Sequence, residues 1–140
     1  MVAQYINLVK LCVGVSSIDD LSSRIDSRKS TETMHITRMW PKKEAEILDG
    51  GSLYWVIKGV ILARQRILSL DEKIGEDGIR RCGIRMDATL HRTEAARRRP
   101  FQGWRYLTVQ DAPRDLALAR EHDDDLPPEL IAQLAQIGVR

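Results

Sequence analysis

The stretch Ser52-Leu-Tyr-Trp-Val-Ile-Lys-Gly-Val-Ile-Leu-Ala-Arg-Gln-Arg66 decides the fold of this chain. Two apolar runs rich in β-branched residues flank the pair Lys58-Gly59. Such runs around a two-residue turn that contains glycine predict a β-hairpin. A helix that begins at Gly59 is the alternative, but the β-branched residues favour strands because their side chains lose rotamer freedom in a helix.

This hairpin also predicts which side chains share a face of the sheet. With Lys58 and Gly59 in the turn, the expected cross-strand pairs are Ile57–Val60, Trp55–Leu62 and Leu53–Arg64. Trp55 would then lie diagonally from Arg64, within reach of its guanidinium group, with Arg66 one step further along the same face. Tyr54 and Trp55 point to opposite faces, so we expect only one of them to be fully buried.

The segments around the hairpin predict further strands and short helices. Expected strands cover residues 5–13, 34–40, 79–93 and 101–107, joined by a charged loop at 71–78 and a basic connector at 94–100. A helix capped by Ser16 or Ser17 should run to about Arg28. Pro41 should open a short helix that Gly50 and Gly51 close. The remaining helical signals are a possible turn at 114–120 and a helix from Pro127 or Pro128 to Gly138.

This order of elements predicts an α+β fold. We expect a curved, mainly antiparallel sheet with three to four short flanking helices. The length of 140 residues fits a single domain over residues 1–140. With 43% hydrophobic and 30% charged residues, the composition is typical of a globular protein.

Composition and motifs also indicate a cytoplasmic protein without a metal or cofactor. Residues 1–8 have no basic region of the kind that starts a signal peptide, Lys10 interrupts the nearest apolar run, and no run is long enough to span a membrane. Cys12 and Cys82 lack metal-ligand spacing and are expected to be reduced core thiols. The three histidines are scattered, and the chain has neither a phosphate loop nor a serine-nucleophile motif.

The charge layout indicates an anionic partner. Residues 24–105 carry 18 Lys/Arg and 11 Asp/Glu, a balance of +7, whereas residues 106–140 carry 3 basic and 7 acidic residues, a balance of −4. Arginine outnumbers lysine 16 to 6, and the planar guanidinium group suits bidentate recognition of phosphate. Ordinary solvated charge with intramolecular ion pairs explains the same layout equally well.

Three segments combine arginine with tryptophan: residues 34–42, 52–66 and 97–106. A basic surface with spaced aromatic side chains is typical of proteins that bind single-stranded nucleic acid. Core packing of the tryptophans and ion pairing of the arginines is the structural alternative at each segment. The predicted nucleic-acid-binding residues are Arg38, Trp40, Trp55, Arg64, Arg66, Trp104 and Arg105.

Four strings in the chain resemble a known family: His35-Ile-Thr-Arg-Met-Trp-Pro-Lys42, Asp49-Gly-Gly-Ser-Leu-Tyr-Trp-Val-Ile-Lys-Gly59, Arg64-Gln-Arg-Ile-Leu68 and Arg98-Arg-Pro-Phe-Gln-Gly-Trp-Arg-Tyr-Leu107. They are similar to the alphaproteobacterial family numbered domain of unknown function 1489. The strings Leu8-Val-Lys-Leu-Cys-Val-Gly-Val15 and Asp111-Ala-Pro-Arg-Asp-Leu116 also resemble that family, so the similarity spans nearly the whole chain. The resemblance implies no activity and no catalytic residues.

The predicted order of strands and helices also resembles a known fold. A strand with a Thr-Arg pair, a short helix, a Gly-rich turn and a hairpin is similar to PUA-like domains of the ASCH and EVE branches, which are small pseudo-barrels that commonly bind RNA or a modified base. Some ASCH-type proteins are amidohydrolases that act on modified nucleosides. Thr37 and Lys58 match two of their catalytic residue types, but no matching Glu is evident.

The leading hypothesis is therefore a binding module for RNA, a modified base or another anionic ligand. A small metal-independent hydrolase is the second reading, and a basic-faced protein-interaction domain is the third.

Overall fold

In the computed structural model, which describes residues 5–116, seven strands and two helices follow one another along the chain. They are β1 (Asn7–Leu11), α1 (Ile18–Ser27), β2 (Glu32–Thr37), α2 (Glu44–Leu48), β3 (Ser52–Ile57), β4 (Val60–Ile74), β5 (Arg80–Asp87), β6 (His91–Arg97) and β7 (Trp104–Leu107).

The strands form one sheet in the order β2-β5-β4-β3-β1-β7, and β6 pairs with β4 beside this path. Strands β1 and β3 are parallel, whereas every other strand pair of the described sheet is antiparallel. The prediction of a mainly antiparallel α+β fold is therefore confirmed. Residues 5–116 contain two helices rather than three to four, and the helix expected from Pro127 or Pro128 to Gly138 lies outside the described residues.

Helix α1 begins where its sequence signals place it. The Ser17 hydroxyl accepts a hydrogen bond from the backbone N–H of Asp20 at 3.1 Å, so it caps one of the free donors of the first turn. Asp19 and Asp20 lie in that turn, where negative charge favours the helix dipole. Leu21 and Ile25, one turn apart, are the buried side chains that attach the helix to the sheet.

The predicted hairpin is present, with Lys58 and Gly59 at its turn. Both residues have positive φ, 51° and 81°, as a type I′ turn requires. Ile57 pairs with Val60 as expected, but the register then shifts between Trp55 and Val56.

This shift makes two of the expected cross-strand pairs wrong. Because Leu62 is an extra residue in β4, Trp55 pairs with Ala63 and Leu53 pairs with Gln65. Arg64 is thereby moved to the opposite face, where its partner is Tyr54, and Arg66 likewise pairs with Ser52. The arginines of β4 therefore do not share a face with Trp55.

The expectation that only one of Tyr54 and Trp55 is buried is also wrong. The sheet is covered on both faces, and the two side chains are each 6% exposed. Trp55 belongs to the larger core, beneath α1 and between the curled strands, together with residues such as Leu8, Ile67 and Ile84. Tyr54 packs on the other face in a smaller cluster with Val9, Val56, Ile61 and Leu107.

Strand β4 bends between two sets of partners. Its first half pairs with β3 and β6, its second half pairs with β5, and the register shifts between Ile61 and Ala63 and again between Ile67 and Ser69. Irregularities of this kind bend a strand and increase its twist. β4 also continues through Ile74, so much of the loop expected at 71–78 is strand.

Two strand boundaries in the second half of the sheet differ from the sequence prediction. The strand expected at 79–93 is interrupted after Asp87, because the Asp87 carboxylate accepts the backbone N–H of Thr89 at 2.8 Å and stabilises a turn. The chain then resumes as β6, which occupies about half of the connector expected at 94–100.

Two further boundaries differ near α2. Strand β2 ends at Thr37, before Arg38 and Trp40, rather than at residue 40. The short helix after Pro41 begins at Glu44.

The sheet is open but strongly curled. Three strand-to-strand steps separate β2 from β3, which is about 14 Å in a flat sheet, yet the rings of His35 and Trp55 pack edge to face with centroids 5.4 Å apart. At the other end of the strand order, the Trp104 indole on β7 donates to the carbonyl of Met39 at 2.8 Å. The Tyr106 hydroxyl accepts the backbone N–H groups of Lys42 and Lys43. Side chains therefore join the segment after β2 to β7.

Gln65, 1% exposed, lies at the centre of this curl. Its Oε1 accepts the indole N–H of Trp55 at 2.9 Å, and its Nε2 donates to Thr33 Oγ1 and to the carbonyl of Asp87, both at 3.0 Å. One amide thus connects four strands, β2, β3, β4 and β5.

We expect Gln65→Met, which keeps the length of the side chain, to lower the free energy of unfolding by about 2–4 kcal/mol, because it leaves the buried indole N–H of Trp55 and the Asp87 carbonyl without partners. Urea denaturation followed by tryptophan fluorescence measures the change. Gln110→Met, at an exposed position, is the matched control and should have little effect. Equal stability of the two variants would contradict a central role for this amide.

Candidate functional site

Arg64 and Arg66 lie together on the Tyr54 face of β4, where intramolecular partners hold them. Arg64 makes a bidentate pair with Asp115 at 2.8 and 2.9 Å and a further hydrogen bond to Ser52 Oγ at 2.8 Å. This hydrogen-bonded pair raises the pKa of Arg64 and lowers the pKa of Asp115. Arg66 donates to the carbonyl of Leu48 at 3.3 Å. Both arginines line a cavity of about 440 Å³.

The three tryptophans serve mainly as packing side chains. Trp55 and Trp104 are 6% and 4% exposed, and each indole N–H has an internal acceptor. Trp40 is half-buried, and the guanidinium of Arg80 lies over its ring at 4.2 Å from the centroid. Of the predicted site residues, Arg38 and Arg105 are exposed. The seven residues are therefore spread over several surfaces and do not form one cleft.

Arg105 lies in a cluster of arginines. It is the only arginine of this cluster among the seven site residues predicted from the sequence. An open groove of about 430 Å³, hereafter the arginine groove, is lined by Arg97, Arg98, Arg99, Pro100, Phe101 and Arg105. The guanidinium groups of Arg98 and Arg105 lie 5.9 and 5.4 Å from the centroid of the Phe101 ring. The signal for this groove was the run of three arginines at 97–99, which cannot all be buried.

The arginines of the groove differ from the other arginines of the sheet in their ionic partners. Arg80, Arg81 and Arg85 each lie within 4.0 Å of a carboxylate, from Glu72, Asp77 and Glu32 respectively. Within residues 5–116, no carboxylate forms an ion pair with any of the four arginines of the groove. Their charge is therefore available to a ligand as far as the described part of the chain is concerned.

A second cavity, of about 240 Å³, lies between α1, the end of β1 and strand β2. We call it the α1 pocket. Its polar lining consists of Lys10, Cys12, Arg24, Arg28, Thr33, His35 and Gln65, and the rest is apolar except for the indole of Trp55. Sequence reasoning missed Lys10 and His35 as site residues. The available signal was a lysine inside an apolar run.

Lys10 and His35 are ionisable groups that are partly buried. Burial lowers the pKa of Lys10. Burial, reinforced by the positive charge of Lys10, lowers the pKa of His35 to about 4, so this imidazole is neutral at physiological pH. His35 Nε2 is buried, and within residues 5–116 it has no hydrogen-bond partner.

The positions of the two cysteines, and of the threonine and lysine named in the hydrolase hypothesis, limit the reactions that these side chains can support. Burial raises the pKa of both Cys12 and Cys82 to about 11, so neither thiol is ionised to a useful extent near neutral pH. Thr37 is buried at the end of β2 opposite Cys82 of β5, whereas Lys58 is exposed in the β3–β4 turn. The structure does not bring this threonine and this lysine together.

No group of three His, Cys, Asp or Glu side chains in residues 5–116 is placed to hold a metal ion. Neither of the helices in that range is long and apolar enough to cross a membrane.

Comparison with protein-family models gives a match over most of the chain. The family model described as "Protein of unknown function (DUF1489)" matches residues 8–140 of the chain. No curated protein and no solved structure matches it significantly.

The depressed pKa of His35 predicts a pH dependence of stability. The unfolded chain binds a proton at this residue near pH 6.5, whereas the folded chain binds it only near pH 4, so His35 should destabilise the fold progressively as the pH falls through this window. A titration of the His35 imidazole by NMR should give a midpoint near 4. Between pH 7.5 and 4.5 the wild type should lose more stability than His35→Gln.

A midpoint of 6 or above for His35 would show that the imidazole is not desolvated.

Proposed function

The chain belongs to the DUF1489 family of proteins of unknown function, and we propose that it binds single-stranded nucleic acid, RNA in particular, through the arginine groove. Because the family has no assigned function, the proposal is based on the surface of the protein itself. The observation that carries the proposal is the convergence of Arg97, Arg98, Arg99 and Arg105 around one open groove without a carboxylate partner among residues 5–116.

The shape of the groove favours a flexible strand as the ligand. Guanidinium groups bind phosphate oxygens in a bidentate manner. The half-buried ring of Phe101, close to both Arg98 and Arg105, offers an aromatic surface to a base. Sequence-tolerant stacking together with phosphate contacts is the usual basis of binding to single strands. The arginine groove therefore replaces Trp55, Arg64 and Trp104 as the centre of the proposed site, while Arg105 remains part of it.

Arg38, Trp40 and Arg66 are proposed as contacts at the edge of a longer bound strand. Arg38 is exposed, and Trp40 keeps part of its ring accessible beside Arg80. A side-chain hydrogen bond joins this region to β7, since the backbone carbonyl of Met39 accepts the indole N–H of Trp104, the residue before Arg105.

We also propose that the protein has a PUA-like fold, forms a single domain and is located in the cytoplasm. The curled sheet and the side-chain contacts that join the segment after β2 to β7 support a PUA-like pseudo-barrel. A single domain over residues 1–140 agrees with the extent of the family match, residues 8–140. The two free thiols, Cys12 and Cys82, agree with the reducing conditions of the cytoplasm.

The proposal predicts a salt-dependent affinity that needs the arginine groove. A fluorescent single-stranded RNA should bind at low salt, with the logarithm of its affinity falling linearly with the logarithm of salt concentration. Changing Arg97, Arg98 and Arg99 together to Gln should reduce that slope by about 2, because each phosphate neutralised on a single strand contributes ~0.7. Fluorescence anisotropy at several salt concentrations measures both quantities.

A charge-matched control separates the groove from net charge. Changing Arg80, Arg81 and Arg85 to Gln removes the same three charges, but from arginines that are paired with carboxylates, and should leave most of the slope unchanged. Absence of binding to single-stranded RNA and DNA at low salt would overturn the proposal. Equal or tighter binding of a poly-aspartate peptide would assign the groove to an acidic protein partner instead.

A further inference from the structure

The α1 pocket lies on the opposite face of the sheet from the arginine groove. On neighbouring strands, Lys10 is paired with Trp104, and Val9 is paired with Arg105. Adjacent residues of a strand point to opposite faces, so Lys10 belongs to the face of Trp55 and Trp104, while Arg105 belongs to the face of Phe101. A ligand of the pocket is therefore distinct from a strand in the groove.

The polar groups of the α1 pocket are mainly donors. Lys10, Arg24 and Arg28 bring three positive charges to its wall, and none of the described lining residues is Asp or Glu. The Thr33 hydroxyl accepts its hydrogen bond from Gln65 and so keeps its own proton free to donate. A cavity lined in this way favours a ligand that is rich in acceptors and negatively charged.

Among the residues of the α1 pocket, Lys10 gives the strongest indication that the ligand is negatively charged. Its ammonium lies partly buried between the core and α1, and no carboxylate of residues 5–116 forms an ion pair with it. A partly desolvated cation is stabilised by a nearby counter-charge. Arg24, by contrast, already contacts the carbonyl of Gly14 at 2.6 Å and the carboxylate of Asp20 at 3.5 Å.

The remainder of the wall is apolar. Val15, Leu21, Ile25, Met34 and Met86 line the pocket beside the edge of Trp55. The volume of about 240 Å³ is just below the ~300–1,000 Å³ typical of sites for drug-sized molecules. This volume and lining suit a small ligand with one apolar body and one anionic group.

We propose that the α1 pocket binds a small organic anion, a carboxylate or phosphate on a compact apolar body, with the anionic group against Lys10 and Arg28 and the body against Trp55 and α1. This site requires no nucleic acid and does not depend on the arginine groove. Carboxylate and phosphate share the chemistry that these donors recognise.

The test uses the indole N–H signal of Trp55 in ¹H–¹⁵N NMR spectra of the full chain, because Trp55 lines the pocket whereas Trp40 and Trp104 do not. Benzoate and phenyl phosphate are titrated at constant ionic strength, and benzyl alcohol is the neutral control. We expect both anions to shift the Trp55 signal saturably and benzyl alcohol to bind at least tenfold more weakly. The tighter anion identifies the preferred head group.

Matched variants assign the charge contact. Lys10→Gln should weaken anion binding about tenfold, as expected for one lost charge-assisted hydrogen bond. Lys73→Gln, at an exposed position near the far end of β4, should bind as the wild type does. If Lys10→Gln does not fold, Arg28→Gln at the exposed rim replaces it, with weaker binding expected for the same reason.

Three outcomes would overturn the proposal: no saturable shift of Trp55 with either anion at millimolar concentration, equal affinity for benzyl alcohol, or unchanged affinity in both the Lys10 and the Arg28 variants. The variant with Arg97, Arg98 and Arg99 changed to Gln should bind the anions normally. This last result separates the α1 pocket from the proposed nucleic-acid function, since either can fail alone.

Discussion

The hydrogen bonds of the buried Gln65 amide are the constraint on which the curl of this sheet depends. The amide accepts from the indole of Trp55 and donates to Thr33 and to the backbone of Asp87, so it fixes side chains or backbone of β2, β3 and β5 to the middle of β4. A buried polar group is tolerated only when its hydrogen bonds are made. The sheet is therefore bent so that all three partners reach the Gln65 side chain. The same bend brings the rings of Trp55 and His35 into contact.

The curl also decides how charge is distributed over the molecule. Alternation along β1 and β7 sends Lys10 inward, toward α1, and Arg105 outward, toward Phe101. Two neighbouring strands thereby place one basic residue at the α1 pocket and another at the arginine groove. The pocket is suited to a small anion because it is small and has a partly buried lysine in its wall, whereas the groove is suited to a polyanion because several guanidinium groups line it.

The arginines separate into two groups by their partners. Arg64 is tied to Asp115, a residue 51 positions away, and its charge is used inside the protein. Arg97 and Arg99 are exposed and have no carboxylate partner within residues 5–116. A count of charges along the chain cannot distinguish these groups, because the pairing depends on which strands become neighbours. The local balance of +7 over residues 24–105 therefore indicated an anionic partner without locating it.

The sequence by itself determined the features that depend on neighbouring residues: a serine cap of α1 at Ser16 or Ser17 and the Lys58-Gly59 turn of the hairpin. The order of its strand and helix signals also predicted the sheet-dominated fold. Caps and turns use hydrogen bonds and dihedral angles within a few residues, so their signals are local. Only the tertiary structure decided the bulge at Leu62, the burial of both Tyr54 and Trp55, and the meeting of Lys10 with His35 in one pocket. These features arise from contacts between residues far apart in the chain, and a register shift of one residue moves side chains to the other face of the sheet.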